Sequence, residues 1–186
     1  MFLLMYINDG SLARRDYCRP IRRKDGKTVR SLETRPLTPE RVAQAFPLIQ
    51  VAFPAVSLED WRDFATPLAQ APGPADGGII TVVSEQGYIV GLCCYRVAQD
   101  LRHGAVLLAD HFLVLDLFGQ KAVVRALADA VDSLARERRC TAIHTSLPET
   151  GVKGADSWLV QILRSRGHRV ESLRMCKLLA GAAYSV

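Results

Sequence analysis

A chain of 186 residues that is 49% hydrophobic and 23% charged can bury a full core, and its length suggests one domain. The opening FLLMYI is too short for a signal-peptide core, and no later apolar run approaches the roughly 18 residues of a membrane span, so a cytoplasmic protein without membrane contact is expected. The formal net charge of +5 suggests nucleic acid until it is located: eight basic residues lie between Ala13 and Arg30 against only Asp16 and Asp25, which leaves the rest of the chain at −1.

That basic run reads as a solvated N-terminal extension over residues 1–28, and a nucleic-acid contact is the minority reading because Tyr17 alone offers little base stacking. Val29–Thr34 has the pattern of a strand. Thr38 as N-cap and Pro39 at the first helical position open a helix, in which Val42, Phe46, Ile49 and Phe53 form one apolar stripe. Ser57 and Asp60 resemble a capping pair for a second helix with Leu58, Trp61 and Phe64 on its buried side. A Pro/Gly loop over residues 70–78 separates this helical part from a meander of three strands, Ile79–Ser84, Tyr88–Val97 and Ala105–Leu115, whose short turns imply antiparallel pairing.

The apolar run VLLADHFLVLD then passes without a turn residue into LFGQKAVVRALADAV, a buried strand feeding an amphipathic helix. At such a junction the first helical N–H groups lack intrahelical partners and the dipole is positive, so the backbone can hold an anion, most often a phosphate. The helix turns Leu127, Val131 and Leu134 inward and Arg125, Asp129, Asp132 and Arg136 outward. Cys140–Leu147 follows as a strand, parallel to the one before the helix under the right-handed crossover rule. The loop PETGVKGA leads to a helix capped by Asp156 and ending at Gly167, and Val170–Ser172 and Leu173–Leu179 supply final strands. Cys18, Cys93, Cys94, Cys140 and Cys176 form no C-x-x-C spacing, so neither a disulfide framework nor a metal site is expected. His103 reads as a turn residue, His144 as a core or edge histidine, and His168 as part of the helix end.

From Val29 to Leu179 this βααβββαβαββ order resembles the GNAT superfamily of acyl-CoA-dependent N-acyltransferases. The family's strand, loop and helix centre on R/Q-x-x-G-x-G/A, and VLDLFGQKAVVRALADAV, Val114 to Val131, follows that register without a gap. WLVQILRSRGHRV and LRMCKLL are similar to its penultimate helix and last strand. The resemblance implies an α+β fold: a mostly antiparallel sheet with a central parallel strand pair, flanked by helices, over residues 29–179, with a short tail at 180–186. It also implies acetyl-CoA or another acyl-CoA as cosubstrate, and an amine-bearing small molecule or protein as acceptor. A homodimer remains open.

Under the same resemblance the backbone of Leu113, Val114 and Leu115 pairs with the pantetheine arm, and Gly119, Gln120, Lys121, Ala122, Val123, Val124 and Arg125 hold the pyrophosphate. A backbone N–H near Val114 holds the acyl oxygen. The motif is degenerate: Gly119 replaces Arg/Gln, and Ala122 and Val124 replace glycines, so the branched Val124 is expected to crowd the ligand. Leu163 stands where many members place a Tyr that protonates the departing thiolate. Asp110 and His111 occupy the neighbourhood of the general base, His111 having the better ordinary pKa for work near neutrality. Because adjacent strand residues face opposite sides, at most one of the two is expected in the cleft. Three functions follow in decreasing weight: an N-acyltransferase, a GNAT-fold binding or regulatory module without catalysis, and a nucleic-acid-associated protein acting through residues 13–30.

Overall fold

The computed structural model describes residues 31–70, 77–115, 120–147 and 158–172, together with Met175 and Lys177. The basic extension, the Pro/Gly loop between residues 71 and 76, Gly119, the PETGVKGA loop and residues 178–186 lie outside that set.

Strand β1 spans Leu32–Pro36, and the first two residues of the strand expected from Val29 lie outside the described residues. The expected single helix beginning at Pro39 is two pieces, a 3-10 helix Pro39–Ala45 and α1 (Phe46–Ala52). Pro47 explains the break: without an N–H it cannot close the α-helical bond to Ala43, whose carbonyl instead accepts from Phe46 in 3-10 fashion. Thr38 occupies the N-cap position but makes no capping side-chain bond. Helix α2 (Leu58–Gln70) opens as expected: the Asp60 N–H donates to Ser57 Oγ at 3.1 Å, and the Ser57 N–H donates to Asp60 Oδ2 at 3.0 Å. Trp61 is buried and its Nε1 donates to the Val42 carbonyl at 2.7 Å. Leu58 is half-buried, while Phe64, expected inside, is 47% exposed.

Strands β2 (Gly77–Ser84), β3 (Ile89–Asp100) and β4 (Gly104–Val114) form the meander, and β5 (Ala142–Thr145) runs parallel to β4 after the crossover helix α3 (Gln120–Glu137). The sheet order is β1-β2-β3-β4-β5, with every pair but the last antiparallel. Both faces are covered, which is why β2 reads as an almost continuous apolar run rather than an alternating one. On one face α3 and α4 (Trp158–Ser165) pack Leu127, Val131, Leu134 and Ile162 against Val82, Val90, Leu107 and Phe112. On the other, Val42, Leu48, Ile49 and Trp61 pack against Ile79, Val83, Leu92 and Leu113. Helix α4 closes on Gly167 at φ +92°, where the His168 N–H reaches the Leu163 carbonyl at 3.1 Å and the Gly167 N–H reaches Arg164 at 3.0 Å.

Val170–Ser172, expected as a strand, is irregular: Glu171 anchors it through a side-chain bond to His103 rather than through a backbone ladder. Leu173–Leu179 falls outside the described residues apart from Met175 and Lys177, neither of which is in a strand.

Candidate active site

The register between β3 and β4 shifts at the far end of β4. Cys94 stands opposite Asp110 and Leu92 opposite Leu113, so His111 and Phe112 together face Cys93 alone. This is a β-bulge, with His111 at φ +53° taking the left-handed conformation that one extra residue requires. Before the bulge Leu107 and Ala109 point to the α3 face; after it Phe112 does, and Leu113 moves to the α1/α2 face. Asp110 shares its face with its partner Cys94, which packs in the α1/α2 cluster. The His111 ring lies edge-on to Phe53 at 5.7 Å and to Phe64 at 5.6 Å, both from that same layer. Alternation would separate Asp110 from His111; the bulge turns both toward α1 and α2, so the expectation that these neighbours face opposite sides does not hold.

The same bulge redirects the backbone. Leu115 N–H donates to Val90 on β3 at 2.9 Å, so the alternating antiparallel ladder turns the polar groups of Leu113 and Leu115 to β3 and those of Phe112 and Val114 to the opposite edge. On that edge the parallel ladder with β5 covers only Val106 to Ala109 and ends with Ser146 N–H donating to the Ala109 carbonyl at 2.9 Å. Among the described residues no further pairing follows on that edge. Of the three residues expected to pair with a pantetheine arm, only Val114 therefore turns its main-chain groups to the edge away from β3.

Helix α3 begins five residues after Leu115. Lys121, Ala122 and Arg125 are exposed on its first turns, whereas Val123 and Val124 are fully buried. Val124, expected to crowd a ligand, instead packs into the core between helix and sheet. Val123 packs on Gly91, where an added Cβ would lie 2.8 Å from Val123 Cγ1; the missing side chain lets α3 approach β3 this closely. Gly119 and the side chain of Gln120 lie outside the described residues. Leu163 is a core residue of α4 and offers no proton. Cys93 and Cys94 are not nucleophiles: burial, with Asp110 adding to it, pushes the Cys94 thiol up to about 12, and burial raises Cys93 further from its ordinary range.

Donors that sequence reasoning kept apart come together at the other end of β4. His103 and His144 lie with ring centroids 5.5 Å apart, and Glu171 Oε2 is 3.1 Å from His103 Nε2. Nothing local signals this, since 41 positions separate the two histidines and only the β4–β5 register brings them together.

A bulged fourth strand, a parallel neighbour paired along its first part only, and the crossover helix between them define a mixed-sheet α+β fold. No family model matches the sequence, and no curated protein matches it by sequence. Solved structures match the fold. An aminoglycoside N-acetyltransferase crystallised with CoA is 14% identical with a TM-score of 0.62, over 81% of this chain and 95% of that one. An acetyltransferase of Trypanosoma brucei is 17% identical with a TM-score of 0.60, over 80% and 99%. A glucosamine-6-phosphate N-acetyltransferase from Arabidopsis thaliana is 13% identical with a TM-score of 0.61, over 79% and 97%. Among the described residues no helix is long and apolar enough to cross a membrane.

Proposed function

We propose that the protein is an acyl-CoA-dependent N-acyltransferase that transfers an acyl group, most simply acetyl, to a primary amine of a small molecule or protein. The observation that carries this reading is the coincidence at one end of β4 of three features: a bulge that brings Asp110 and His111 to one face, an edge presenting the Val114 N–H, and the start of α3. In this reading the exposed Lys121 and Arg125, with the backbone at the start of α3, bind the pyrophosphate of the cosubstrate, which supplies the acyl thioester. His111, with Asp110 beside it, takes a proton from the acceptor ammonium, since only the free amine has a lone pair to attack the carbonyl. The Val114 N–H holds the negative charge developing on the acyl oxygen. The C–N bond forms and the C–S bond breaks, and because Leu163 has no proton to give, the second proton of the attacking nitrogen passes through water to the departing thiolate, leaving a neutral amide and the free thiol.

Calorimetric titration with CoA, followed by thiol release from acetyl-CoA with a panel of amines, tests the reading. CoA is expected to bind the parent chain, and Lys121→Glu to weaken it by charge reversal. His111→Ala is expected to keep CoA binding while kcat falls about 100-fold or more. Absence of CoA binding by the parent would refute the assignment. Binding without turnover on any amine would support the second reading, a binding or regulatory module, which the buried Leu163 in place of an acid favours.

A further inference from the structure

We propose that Asp100, His103, His144 and Glu171 form a zinc site that clamps the segment after α4 to the β3–β4 turn. The four residues come from four places: the last position of β3, the turn after it, β5, and the irregular stretch beyond α4. Their backbones are fixed independently of any ion. Asp100 Oδ1 accepts the N–H groups of Arg102 and His103 at 2.8 and 2.9 Å, which sets the turn. The Thr141 hydroxyl bonds the His103 and Ala105 carbonyls, and the Thr141 N–H donates to Ala105 at 2.8 Å, which holds β5 beside that turn. His144 then stands in register with Leu108.

The side-chain geometry is close to that of a coordination sphere. One donor atom from each of Asp100, His103 and His144 lies within 4.8 Å of the other two. Glu171 Oε2 is 3.1 Å from His103 Nε2 and 3.9 Å from His144 Nε2. Zinc bonds of about 2.0–2.1 Å put tetrahedral ligands about 3.3–3.4 Å apart, so Glu171 and the histidines already stand near ligand spacing, and the wider separations within the Asp100, His103 and His144 group, none above 4.8 Å, close by side-chain rotation. His144 Nε2 adds a second indication: it is screened from solvent and, with Glu171 Oε2 no nearer than 3.9 Å, makes no hydrogen bond among the described residues, so a bound ion would offset its desolvation. The outer contacts suit metal ligands. Arg169 bonds Glu171 through Oε1 at 3.3 Å and leaves Oε2 to the histidines, and the two backbone donors orient the Asp100 carboxylate.

Two imidazoles with two carboxylates favour zinc over magnesium or calcium, which take all-oxygen sets, and the carboxylates balance the 2+ charge. With four protein ligands the site is a structural one. It lies at the beginning of β4, away from the bulged end assigned to acyl transfer, and does not depend on that assignment.

The test uses chelator-treated full-length protein, titrated calorimetrically with zinc chloride and with magnesium chloride and melted in the presence of each. One zinc per chain, a zinc-specific rise in Tm and no response to magnesium are expected. His103→Ala and His144→Ala should each weaken zinc binding at least tenfold while keeping the circular dichroism of the parent, and Cys140→Ser, which removes the thiol beside this cleft, should leave it unchanged. Cobalt(II) should give the visible bands of nitrogen and oxygen ligation without a thiolate charge-transfer band. A melting temperature indifferent to zinc, zinc binding that survives the double histidine variant, or a thiolate band would overturn the proposal.

Discussion

Gly91→Ala puts the packing of α3 on the sheet to a quantitative test. The added methyl would sit 2.8 Å from Val123 Cγ1, closer than carbon atoms approach without repulsion, and Val123 is fully buried on a helix that holds its side chain in one strongly preferred rotamer. Neither partner can turn away, so α3 must lift or the strand must bend. Overpacking of this kind costs about 1–3 kcal/mol, or a fall in Tm of roughly 3–10 °C for a domain of this size. Val123→Ala alone removes two methyl groups from the core and should cost about 2–3 kcal/mol through lost burial and the cavity left behind. In the double variant the methyl added at position 91 occupies space that Val123 vacates, so its destabilisation should fall short of the sum of the singles by about 1 kcal/mol or more. Urea denaturation of the four proteins, read as midpoints at a common slope, measures that coupling. A Gly91→Ala variant within about 0.5 kcal/mol of the parent, or strict additivity, would refute the close approach of α3 to β3. Because the start of α3 is the proposed pyrophosphate site, the same variant should also weaken CoA binding.

Trp61→Phe leaves the buried Val42 carbonyl without its 2.7 Å donor and should cost about 1–3 kcal/mol in chemical denaturation. Asp60 is held below the usual carboxylate range by the Ser57 hydroxyl and amide; its contribution is present above the ordinary carboxylate pKa and lost as pH falls through the lowered value, so the gap in Tm between parent and Asp60→Asn should shrink on acidification. Cys93 and Cys94, with thiols raised by burial, should resist iodoacetamide at pH 8 until the protein unfolds, while the half-exposed Cys140 reacts before either of them; mass spectrometry of the labelled peptides reads this directly. The raised Cys94 thiol favours the folded state below the ordinary thiol pKa and loses that contribution as pH rises toward about 12, so a Cys94→Ala variant should show a flatter alkaline decline in Tm.

Much of the architecture was legible because it rests on local periodicity. The Ser57–Asp60 cap, the three-strand meander, and the inward stripe Leu127, Val131 and Leu134 follow from side-chain chemistry and spacing within a few residues. The breaks in that periodicity were harder to see. Pro47 divides one amphipathic pattern into a 3-10 helix and an α-helix, yet the apolar stripe continues across the division because Val42 and Ile49 remain buried. Phe64 fits the buried spacing of α2 but lies at the rim of the layer, where its ring meets His111.

The sequence by itself determined which elements form, their order, and which face of each is apolar, since propensity, capping and hydrophobic period are properties of neighbours along the chain. Only the tertiary structure decided what the functional residues do with one another. Asp110 and His111 share a face because one residue more on β4 than on β3 must be absorbed as a bulge, a mismatch that exists only once the two strands pair. Val124 turns from expected obstruction to core residue because the rotation of α3 is set by its seat on Gly91 and the sheet. His103, His144 and Glu171 meet because the β4–β5 register and the end of α4 carry them there, and long-range register arises from packing many residues at once, which no local stretch of sequence encodes.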